Sequence, residues 1–300
     1  MRSEVCTIIV NWNLRADTVE CLRSLFAAGV PPGGVVVVDN GSTDGSVDAV
    51  RAEFGGKLDL IETGKNLGLA GGINSGLPAV LAGETDWVFL LNNDTIVEPD
   101  LFERFADAVH AAPGIAVWGP RIVYHADPGR VWFLAERRIG RSLLGRPVPE
   151  TRLEPEDAPL AVRADFISGC AMLVRREVFE RIGGFDESLF LFAEEVDFCL
   201  RAARAGFKLA AAPRAGVRHK VSLSTDRDKP TARFLRIRNQ VRVYRRYASV
   251  PGRGFYFLFT LLRALYHIAG DLLRGDGDLA GQTFRGWLAG WFTRAGPRNR

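Results

Sequence analysis

Carboxylates stand at the ends of two apolar stretches of the chain, where they could bind a nucleotide and a metal ion. In "VVVVDNGSTD" the apolar residues are followed by Asp39, Asn40 and Ser42. The Asp39 carboxylate could accept a hydrogen bond from the imide N–H of uracil or thymine. "FLLNND" ends in Asn93 and Asp94. Mg²⁺ or Mn²⁺ is commonly held by one or two carboxylates together with substrate phosphates, so Asp94 is a candidate metal ligand. An ordinary turn stays the alternative at either place, because these are the usual turn residues.

Three further carboxylates crowd the predicted start of a helix in "FAEEVDFCLR". Glu194 and Asp197 are three residues apart and share a helix face, whereas Glu195 is free to face the strand ends. Crowded carboxylates raise one another's pKa, which suits a general base. A simple helix cap, favoured by the helix dipole, is the alternative. His219 in "GVRHKVS" is either a further metal ligand or a structural histidine.

A glycine-rich stretch, "NLGLAGGINSG", contributes Asn66, Gly68 and Asn74. It matches neither the GxGxxG fingerprint of dinucleotide-binding proteins nor a Walker A loop, so nicotinamide and P-loop chemistry are disfavoured. Glycines before a helix nevertheless allow the backbone to approach a nucleotide closely. The alternative is a loop that only caps the helix.

The elements that must position these residues alternate between apolar strands and helices over about residues 5–124. This order predicts βαβ units and an α/β fold with a mostly parallel, Rossmann-like central sheet flanked by helices. Ligands of such sheets bind at the C-terminal ends of the strands, so the polar stretches should converge. Residues 127–160 lose the pattern and predict a mobile or hairpin segment. Strand and helix patterns return after it, with a helix near Glu194 and a short strand near Lys208.

The C-terminal third differs from the rest in charge. Residues 1–213 hold 21 Lys/Arg and 30 Asp/Glu, whereas residues 214–300 hold 18 and 5. Its three predicted helices include "GFYFLFTLLRALYHIAGDLLR", whose charged residues fall on one face and favour an amphipathic over a spanning helix. With Trp287 and Trp291 on an apolar side of the last helix, this region predicts contact with an anionic membrane surface. Packing on the catalytic domain, or on another subunit in a homo-oligomer, stays open.

Composition limits the remaining classes of protein. The 300 residues are 47% hydrophobic and 25% charged, which is ordinary for a globular chain. Four scattered cysteines suggest neither a zinc site nor a disulfide framework. With no export signal evident at the N-terminus, we expect a cytoplasmic protein, peripheral on the inner face of the cell membrane. No recognised nucleic-acid module is visible, so a nucleic-acid partner is not expected.

Together these motifs resemble the family 2 inverting glycosyltransferases of the GT-A fold. The resemblance rests on "IIVNWN", "VVVVDNGSTDGS", "NLGLAGGINSG", "FLLNND", "GCAMLVRREVFERIGGFDESLFLFAEEVDFCLR" and "VRH", in the family's order over about residues 5–220. Within this family, the motifs are most similar to those of bacterial rhamnosyltransferase-like enzymes of cell-surface polysaccharide synthesis. It implies a catalytic domain at 1–225, with a nucleotide-sugar half (1–125) and an acceptor half (126–225), followed by a basic helical region at 226–300.

The resemblance also implies roles for single residues. Glu195 takes the place of the catalytic base, Asp94 that of the metal-binding residue of the family's DxD signature, and His219 that of an added metal ligand. The residues expected to contact the donor or lie beside it are Asn11, Asp39, Asn40, Ser42, Asn66, Gly68, Asn74, Asn93, Glu194 and Asp197. Two departures stand out: the signature is "NND", without its first carboxylate, and the base is Glu instead of the more usual Asp.

The resemblance implies transfer of a sugar from a dTDP- or UDP-linked donor to a hydroxyl of a glycan or lipid-linked acceptor. Rhamnose is the sugar that the rhamnosyltransferase-like enzymes suggest, and Mg²⁺ or Mn²⁺ is the implied cofactor. Two alternatives remain at this point. A sugar nucleotidyltransferase is disfavoured because no Gly-rich loop with a lysine follows the first strand. A non-catalytic nucleotide-sugar-binding protein is kept open by the reduced "NND" signature.

Overall fold

The computed structural model describes residues 4–138, 142–148, 156–221 and 228–293. The strands are β1 (Val5–Asn11), β2 (Val35–Asp39), β3 (Asp59–Glu62), β4 (Trp87–Asn92), β5 (Thr95–Val97), β6 (Ile115–Tyr124), β7 (Asp127–Phe133), β8 (Glu136–Arg138), β9 (Gly145–Pro147), β10 (Val162–Ala164), β11 (Ala171–Arg175) and β12 (Lys208–His219). The helices are α1 (Arg15–Ala27), α2 (Ser46–Phe54), α3 (Gly68–Ala82), α4 (Leu101–Ala111), α5 (Arg176–Ile182), α6 (Glu194–Arg204), α7 (Lys229–Tyr247), α8 (Val250–Leu273) and α9 (Gly277–Phe292).

The main sheet runs in the order β10-β12-β6-β11-β4-β1-β2-β3. Strands β3, β2, β1 and β4 are parallel neighbours, as are β6 and β12. Strand β11 lies antiparallel between β4 and β6 and joins these two parallel parts. The predicted parallel sheet is therefore present in the N-terminal half, and it continues into a mixed sheet that carries the second half of the chain.

Both faces of the sheet are buried, which explains the unbroken apolar strands. Along β1 and β4, Ile8 and Leu90 pack into one hydrophobic cluster, and Ile9 and Phe89 pack into a second on the opposite face. Successive side chains of a strand point to opposite faces, so a strand covered on both sides must be apolar throughout. The polar residues are thus confined to the strand ends, where a ligand can reach them.

Segment 127–160 contains antiparallel strands, in agreement with the predicted hairpin. Strand β7 pairs antiparallel with β6, and β8 pairs antiparallel with β9. Residues 139–141 and 149–155 lie outside the described residues. Helix α6 begins at Glu194, as predicted. The predicted short strand near Lys208 is the start of β12, which continues to His219 and whose pairing with β6 is interrupted between Ala212 and Gly216.

The C-terminal helices pack on the rest of the chain as well as on each other. Val243, Tyr244 and Tyr247 of α7 enter the same hydrophobic cluster as one face of the main sheet. Trp287 and Trp291 of α9 both donate their ring N–H to the hydroxyl of Thr260 on α8, at 3.1 and 3.0 Å. The expectation that these tryptophans face a bilayer is therefore wrong, because they are packed between two helices.

Helix α8 buries Tyr256, Thr260, Ala264 and Asp271 against the protein, while many of its apolar side chains are exposed. Arg263 donates to Gln240 of α7, and the buried carboxylate of Asp271 pairs with Arg233 of α7. The side chains exposed on the outward faces of α8 and α9 are Phe255, Leu258, Leu262, Leu265, Tyr266, Leu272, Leu273, Phe284, Leu288 and Phe292. We call this surface the apolar stripe. Among the described residues, α8 is the one helix long and apolar enough to cross a membrane, judged by length and composition alone.

Candidate active site

The ends of β1, β2 and β4 meet in a buried network of hydrogen bonds. The amide of Asn11 donates to the Asp39 carboxylate at 2.8 Å and to the Ser42 hydroxyl at 3.0 Å. The amide of Asn93 donates to the side-chain oxygens of Asn11 and Thr18, at 3.0 and 2.9 Å. Asn93 thus ties β4 to β1, and the predicted convergence of the strand ends is confirmed.

Two cavities open beside this network, and Asp94 lines both of them. The smaller, of about 290 Å³, is bounded by Trp12, Asn40, Asn66 and other residues of the first half, together with the loop before α6 and the start of α7. The larger, of about 780 Å³, is bounded by residues of the second half and of α7 and α8. Asp94 therefore stands where a molecule in one cavity could react with a molecule in the other.

Asp94 and His219 are close enough to bind one cation together. The Oδ1 atom of Asp94 lies 3.2 Å from Nε2 of His219, and both side chains are buried. His219 also packs edge-on against Trp132, with ring centroids 4.6 Å apart. No third His, Cys, Asp or Glu joins them among the described residues. One carboxylate and one imidazole fit Mg²⁺ or Mn²⁺ when a substrate diphosphate supplies the other ligands.

A group of carboxylates occupies the larger cavity. Glu194, Glu195 and Glu136 all line it. Burial raises the pKa of Glu195, and the nearby Glu136 adds to the shift. Burial raises the pKa of Glu194 well above its usual range, and the neighbouring Glu195 raises it further. The Oε2 atoms of Glu194 and Glu195 have no hydrogen-bond partner among the described residues. Each could therefore take up a proton or accept a hydrogen bond from a hydroxyl group.

The loop before α6 is held by a residue of α7. Phe190, Phe192 and Ala193 adopt φ values of 65°, 70° and 64°, which non-glycine residues rarely take. The fully buried amide of Asn239 lies 2.6 to 3.0 Å from the carbonyl oxygens of Leu189, Leu191 and Phe192. These bonds stabilise a strained loop. The loop in turn fixes the start of α6 and so the positions of Glu194 and Glu195.

The glycine-rich stretch borders the smaller cavity. The side-chain oxygen of Asn66 accepts from the Gly68 N–H at 2.8 Å, and the Asn40 amide donates to the Gly68 carbonyl at 2.9 Å. Gly68 has φ +73°, and a Cβ there would lie 2.4 Å from the Phe190 carbonyl oxygen. Glycine is therefore required, and it lets α3 begin directly beside the cavity.

Three of the residues expected at the donor form hydrogen bonds within the protein. Asp39 lines neither cavity, and its two carboxylate oxygens accept from Asn11 and from the Ser42 N–H. The amide of Asn74 bonds Phe185 and Glu187, so it braces α3 against the loop after α5. The fully buried Asp197 accepts from Arg201, Arg246 and Tyr247. Of this group, Asn74 and Asp197 are internal braces, and Asp39 links the end of β2 to the end of β1 through Asn11.

The larger cavity is also lined by residues that the sequence motifs did not indicate. These are Trp132, Glu136, Arg236, Tyr244 and Arg263. Glu136 belongs to the segment read as irregular. The arginines belong to helices whose positive charge was read as a membrane-facing surface. The basic character of α7 was a signal for them, but helical spacing does not tell which arginines face a cavity.

Comparison with known proteins agrees with this architecture. Residues 3–245 match the family model described as "Glycosyltransferase like family 2". An N-acetylglucosaminyl-diphospho-decaprenol L-rhamnosyltransferase of Mycobacterium tuberculosis is 32% identical over 231 residues, 69% of this chain and 73% of its own. Galactofuranosyltransferase GlfT1 of the same species is 26% identical, covering 99% of this chain and 92% of its own.

A solved structure supports the fold independently of close sequence similarity. The mannosyltransferase PcManGT from Pyrobaculum calidifontis, in complex with GDP-Man and Mn²⁺, has a TM-score of 0.57 at 17% identity. The match covers 97% of this chain and 88% of that one. The predicted GT-A fold is confirmed. With the family model matching most of the chain, the protein belongs to the family 2 glycosyltransferases.

Proposed function

We propose that this glycosyltransferase moves a sugar, with inversion, from a nucleotide-diphosphate donor to a hydroxyl of a lipid-linked glycan acceptor. The observation that carries the proposal is the position of Asp94 between two cavities, with Glu195 lining the larger one. The smaller cavity then receives the nucleotide and the larger one receives the acceptor. Donor sugar and acceptor hydroxyl meet beside Asp94.

Glu195 is the proposed general base. Its carboxylate lines the acceptor cavity, and the Gly169 backbone passes so close that a Cβ there would lie 3.2 Å from Glu195 Cβ. It takes the proton of the acceptor hydroxyl as that oxygen attacks the anomeric carbon from the face opposite the diphosphate. A single displacement of this kind inverts the anomeric configuration.

Asp94 and His219 are the proposed ligands of Mg²⁺ or Mn²⁺, which when bound would neutralise charge that develops on the leaving diphosphate. The two side chains alone are too few ligands, so the donor phosphates would have to supply others. Asn66, Gly68 and Asn40 border the nucleotide, while Asn11, Asp39, Ser42 and Asn93 hold its floor in place. Glu194 stays beside the base. The network is consistent with a dTDP- or UDP-linked donor.

The names of the relatives support a proposal for the substrate class. The Mycobacterium tuberculosis enzyme is named for transfer of L-rhamnose to an N-acetylglucosaminyl-diphospho-decaprenol. We propose rhamnose as the sugar and a diphospholipid-linked glycan of cell-surface polysaccharide synthesis as the acceptor. The two rival functions are weaker. A nucleotidyltransferase does not fit the family, and a non-catalytic binding protein has no use for a carboxylate placed like that of Glu195.

Changing Asp94 to Asn should weaken metal-dependent donor binding. The amide keeps the size of the side chain but removes its charge, so we expect at least about tenfold weaker donor affinity in Mn²⁺. A thermal-shift titration of dTDP-rhamnose and UDP-sugars, with Mn²⁺ and with EDTA, measures this. Wild-type protein should be stabilised by a donor in Mn²⁺ and much less in EDTA.

The matched control for this variant is Asp48→Asn, an exposed aspartate of α2 that lines neither cavity. It should behave as the wild type does. Equal donor stabilisation of Asp94→Asn and wild-type protein in Mn²⁺ would move the metal site away from Asp94.

We also propose that the apolar stripe rests on an anionic membrane surface on the cytoplasmic side. Most of its large side chains are more than half exposed, such as Leu262, Leu265 and Tyr266. The chain's excess of Lys and Arg lies in the same C-terminal third. An amphipathic surface with basic flanks binds anionic bilayers through burial of its apolar side chains and through attraction of its positive charges to the lipid headgroups.

Changing Leu262 and Leu265 together to Asp should release the protein from vesicles. Burial of two leucines in the bilayer interface is lost, so partitioning should fall at least about tenfold. Cosedimentation with phosphatidylglycerol and phosphatidylethanolamine vesicles at low salt measures this. The control is Ala52→Asp with Ala79→Asp, which adds the same charge at exposed positions of α2 and α3. If the wild type stays in solution and instead elutes as a dimer that the leucine variant breaks, the stripe is a subunit interface.

A further inference from the structure

The larger cavity is lined by carboxylates and by arginines. Glu194, Glu195 and Asp94 come from the sheet and α6. Arg236 comes from α7 and Arg263 from α8. The proposed sugar transfer uses the carboxylates and leaves these two arginines without a role.

The two arginines that line the cavity form no ion pair within the described part of the chain. Arg233 and Arg246 of α7, in contrast, pair with the buried Asp271 and Asp197. Arg238, Arg242 and Arg245 also lack a carboxylate partner in this part of the chain, but they bond backbone carbonyls and do not line the cavity. Two guanidinium groups that line one cavity without an ion pair favour an anionic ligand there.

Contacts with neighbouring side chains orient both arginines. The Arg236 guanidinium lies over the Phe192 ring, 4.5 Å from its centroid, and Phe192 belongs to the loop before Glu194. Arg263 donates to the Gln240 side-chain oxygen at 3.0 Å, and the Gln240 amide donates to the Tyr244 hydroxyl at 3.2 Å. Arg236, Gln240 and Tyr244 are four residues apart and share one face of α7.

The positive charges are near enough to act on each other. Burial lowers the pKa of Arg236, and the cations of Arg233 and Arg263 lower it further. Repulsion of this kind is relieved when an anion binds between the cations. A planar guanidinium can also form two parallel hydrogen bonds to a phosphate, which a lysine cannot do.

We propose that Arg236 and Arg263, with Gln240 orienting Arg263, bind the diphosphate of a lipid-linked acceptor. This inference rests on the proposed function and identifies the acceptor's linking group. Glu195 and the two arginines line one cavity, and Leu262 of the apolar stripe directly precedes Arg263 on α8. A glycosyl-diphospholipid joins the groups that these residues would bind: a sugar hydroxyl, a diphosphate and a hydrocarbon chain. One extended acceptor thus matches base, cations and apolar surface together.

Binding of a short-chain prenyl diphosphate tests the proposal without any sugar transfer. Geranyl diphosphate is titrated into full-length protein by calorimetry in EDTA, so that no metal on the donor side can hold it. Replacing either arginine by Gln removes a charge-assisted bond, and we expect at least about tenfold weaker binding for each. The double variant Arg236→Gln with Arg263→Gln should lose detectable binding. Arg253→Gln, an exposed arginine of α8 outside the cavity, is the matched control and should bind normally.

Two further measurements separate the outcomes. Donor stabilisation in Mn²⁺ should be unchanged in the double variant, whereas failure of the proposed function would show as loss of donor binding by the wild type itself. Vesicle cosedimentation distinguishes the acceptor from bulk lipid headgroups. If the double variant loses binding to phosphatidylglycerol vesicles but keeps its affinity for geranyl diphosphate, the arginines bind headgroups and the proposal fails. Unchanged geranyl diphosphate affinity in all variants would overturn it as well.

Discussion

Changing Glu195 to Gln should abolish most sugar transfer while leaving donor binding intact. The amide has the shape of the carboxylate but cannot take a proton from the acceptor hydroxyl. Loss of a general base typically costs on the order of 10²–10⁴-fold in rate, and we expect the loss in kcat. Donor affinity in Mn²⁺ should stay near the wild-type value, because Glu195 lines the larger cavity and not the smaller one.

A surface variant controls for general effects of a Glu-to-Gln change. Glu180 of α5 forms an exposed pair with Arg176 and lines neither cavity, so Glu180→Gln should transfer sugar normally. Near-normal turnover of Glu195→Gln would move the base elsewhere. Glu136 would then be the first candidate, since it lines the same cavity and burial raises its pKa as well.

The pH dependence of transfer gives a second readout for the same residue. The base must be ionised to act, and burial raises the pKa of Glu195. Activity should therefore fall as the pH drops through this raised pKa, so that the acid limb of kcat/KM lies above the ordinary glutamate value of about 4.3. Glu136→Gln should move the limb to lower pH, because it removes a nearby negative charge. A limb at or below 4.3 in the wild type would contradict this assignment.

Changing Asp197 to Ala should cause the largest loss of stability among the residues considered. Its carboxylate accepts from Arg246 and Tyr247 at 2.7 and 2.6 Å and from Arg201 at 2.8 Å, and it is fully buried. Removing one member of a buried ionic network leaves the others uncompensated, which costs on the order of 3 kcal/mol. Chemical denaturation followed by circular dichroism measures the free energy of unfolding.

The control for this prediction is an exposed ion pair. Glu53 pairs with Arg23 on the surface of α1 and α2, and Glu53→Ala should change the unfolding midpoint far less. Asp197→Asn should fall between the two, because the amide can still accept hydrogen bonds. If Asp197→Ala unfolds at the wild-type midpoint, the network does not hold α6 and α7 together.

The sheet and the position of the site could be predicted from local patterns. Unbroken β-branched strands with polar ends report a sheet buried on both faces, and the ends of parallel strands meet at one edge. Asp94 and Glu195 therefore lie in one cavity, as the motifs predicted. The start of α6 at Glu194 also followed from local signals, since acidic residues favour the first turn of a helix.

The rest depended on contacts between distant segments. Asp197 carries the same carboxylate as Glu194, and only the arrival of Arg246 from α7 makes it an internal brace. Trp287 and Trp291 look like interfacial residues until Thr260 of α8 accepts their N–H groups. Periodicity tells which side chains share a helix face, but it does not tell what that face contacts.

The bonds between Asn239 and the loop before α6 have a consequence for how this enzyme can be divided. A boundary at residue 225 would keep the motif residues of both cavities, yet it would remove the amide that holds the backbone of Leu189, Leu191 and Phe192. A fragment ending there should misplace its base, and it would also lack the residues of α7 that line the smaller cavity. Exchange of C-terminal regions between relatives should succeed only when α7 and this loop come from the same parent, so the two segments form one heritable unit despite lying about 50 residues apart in sequence.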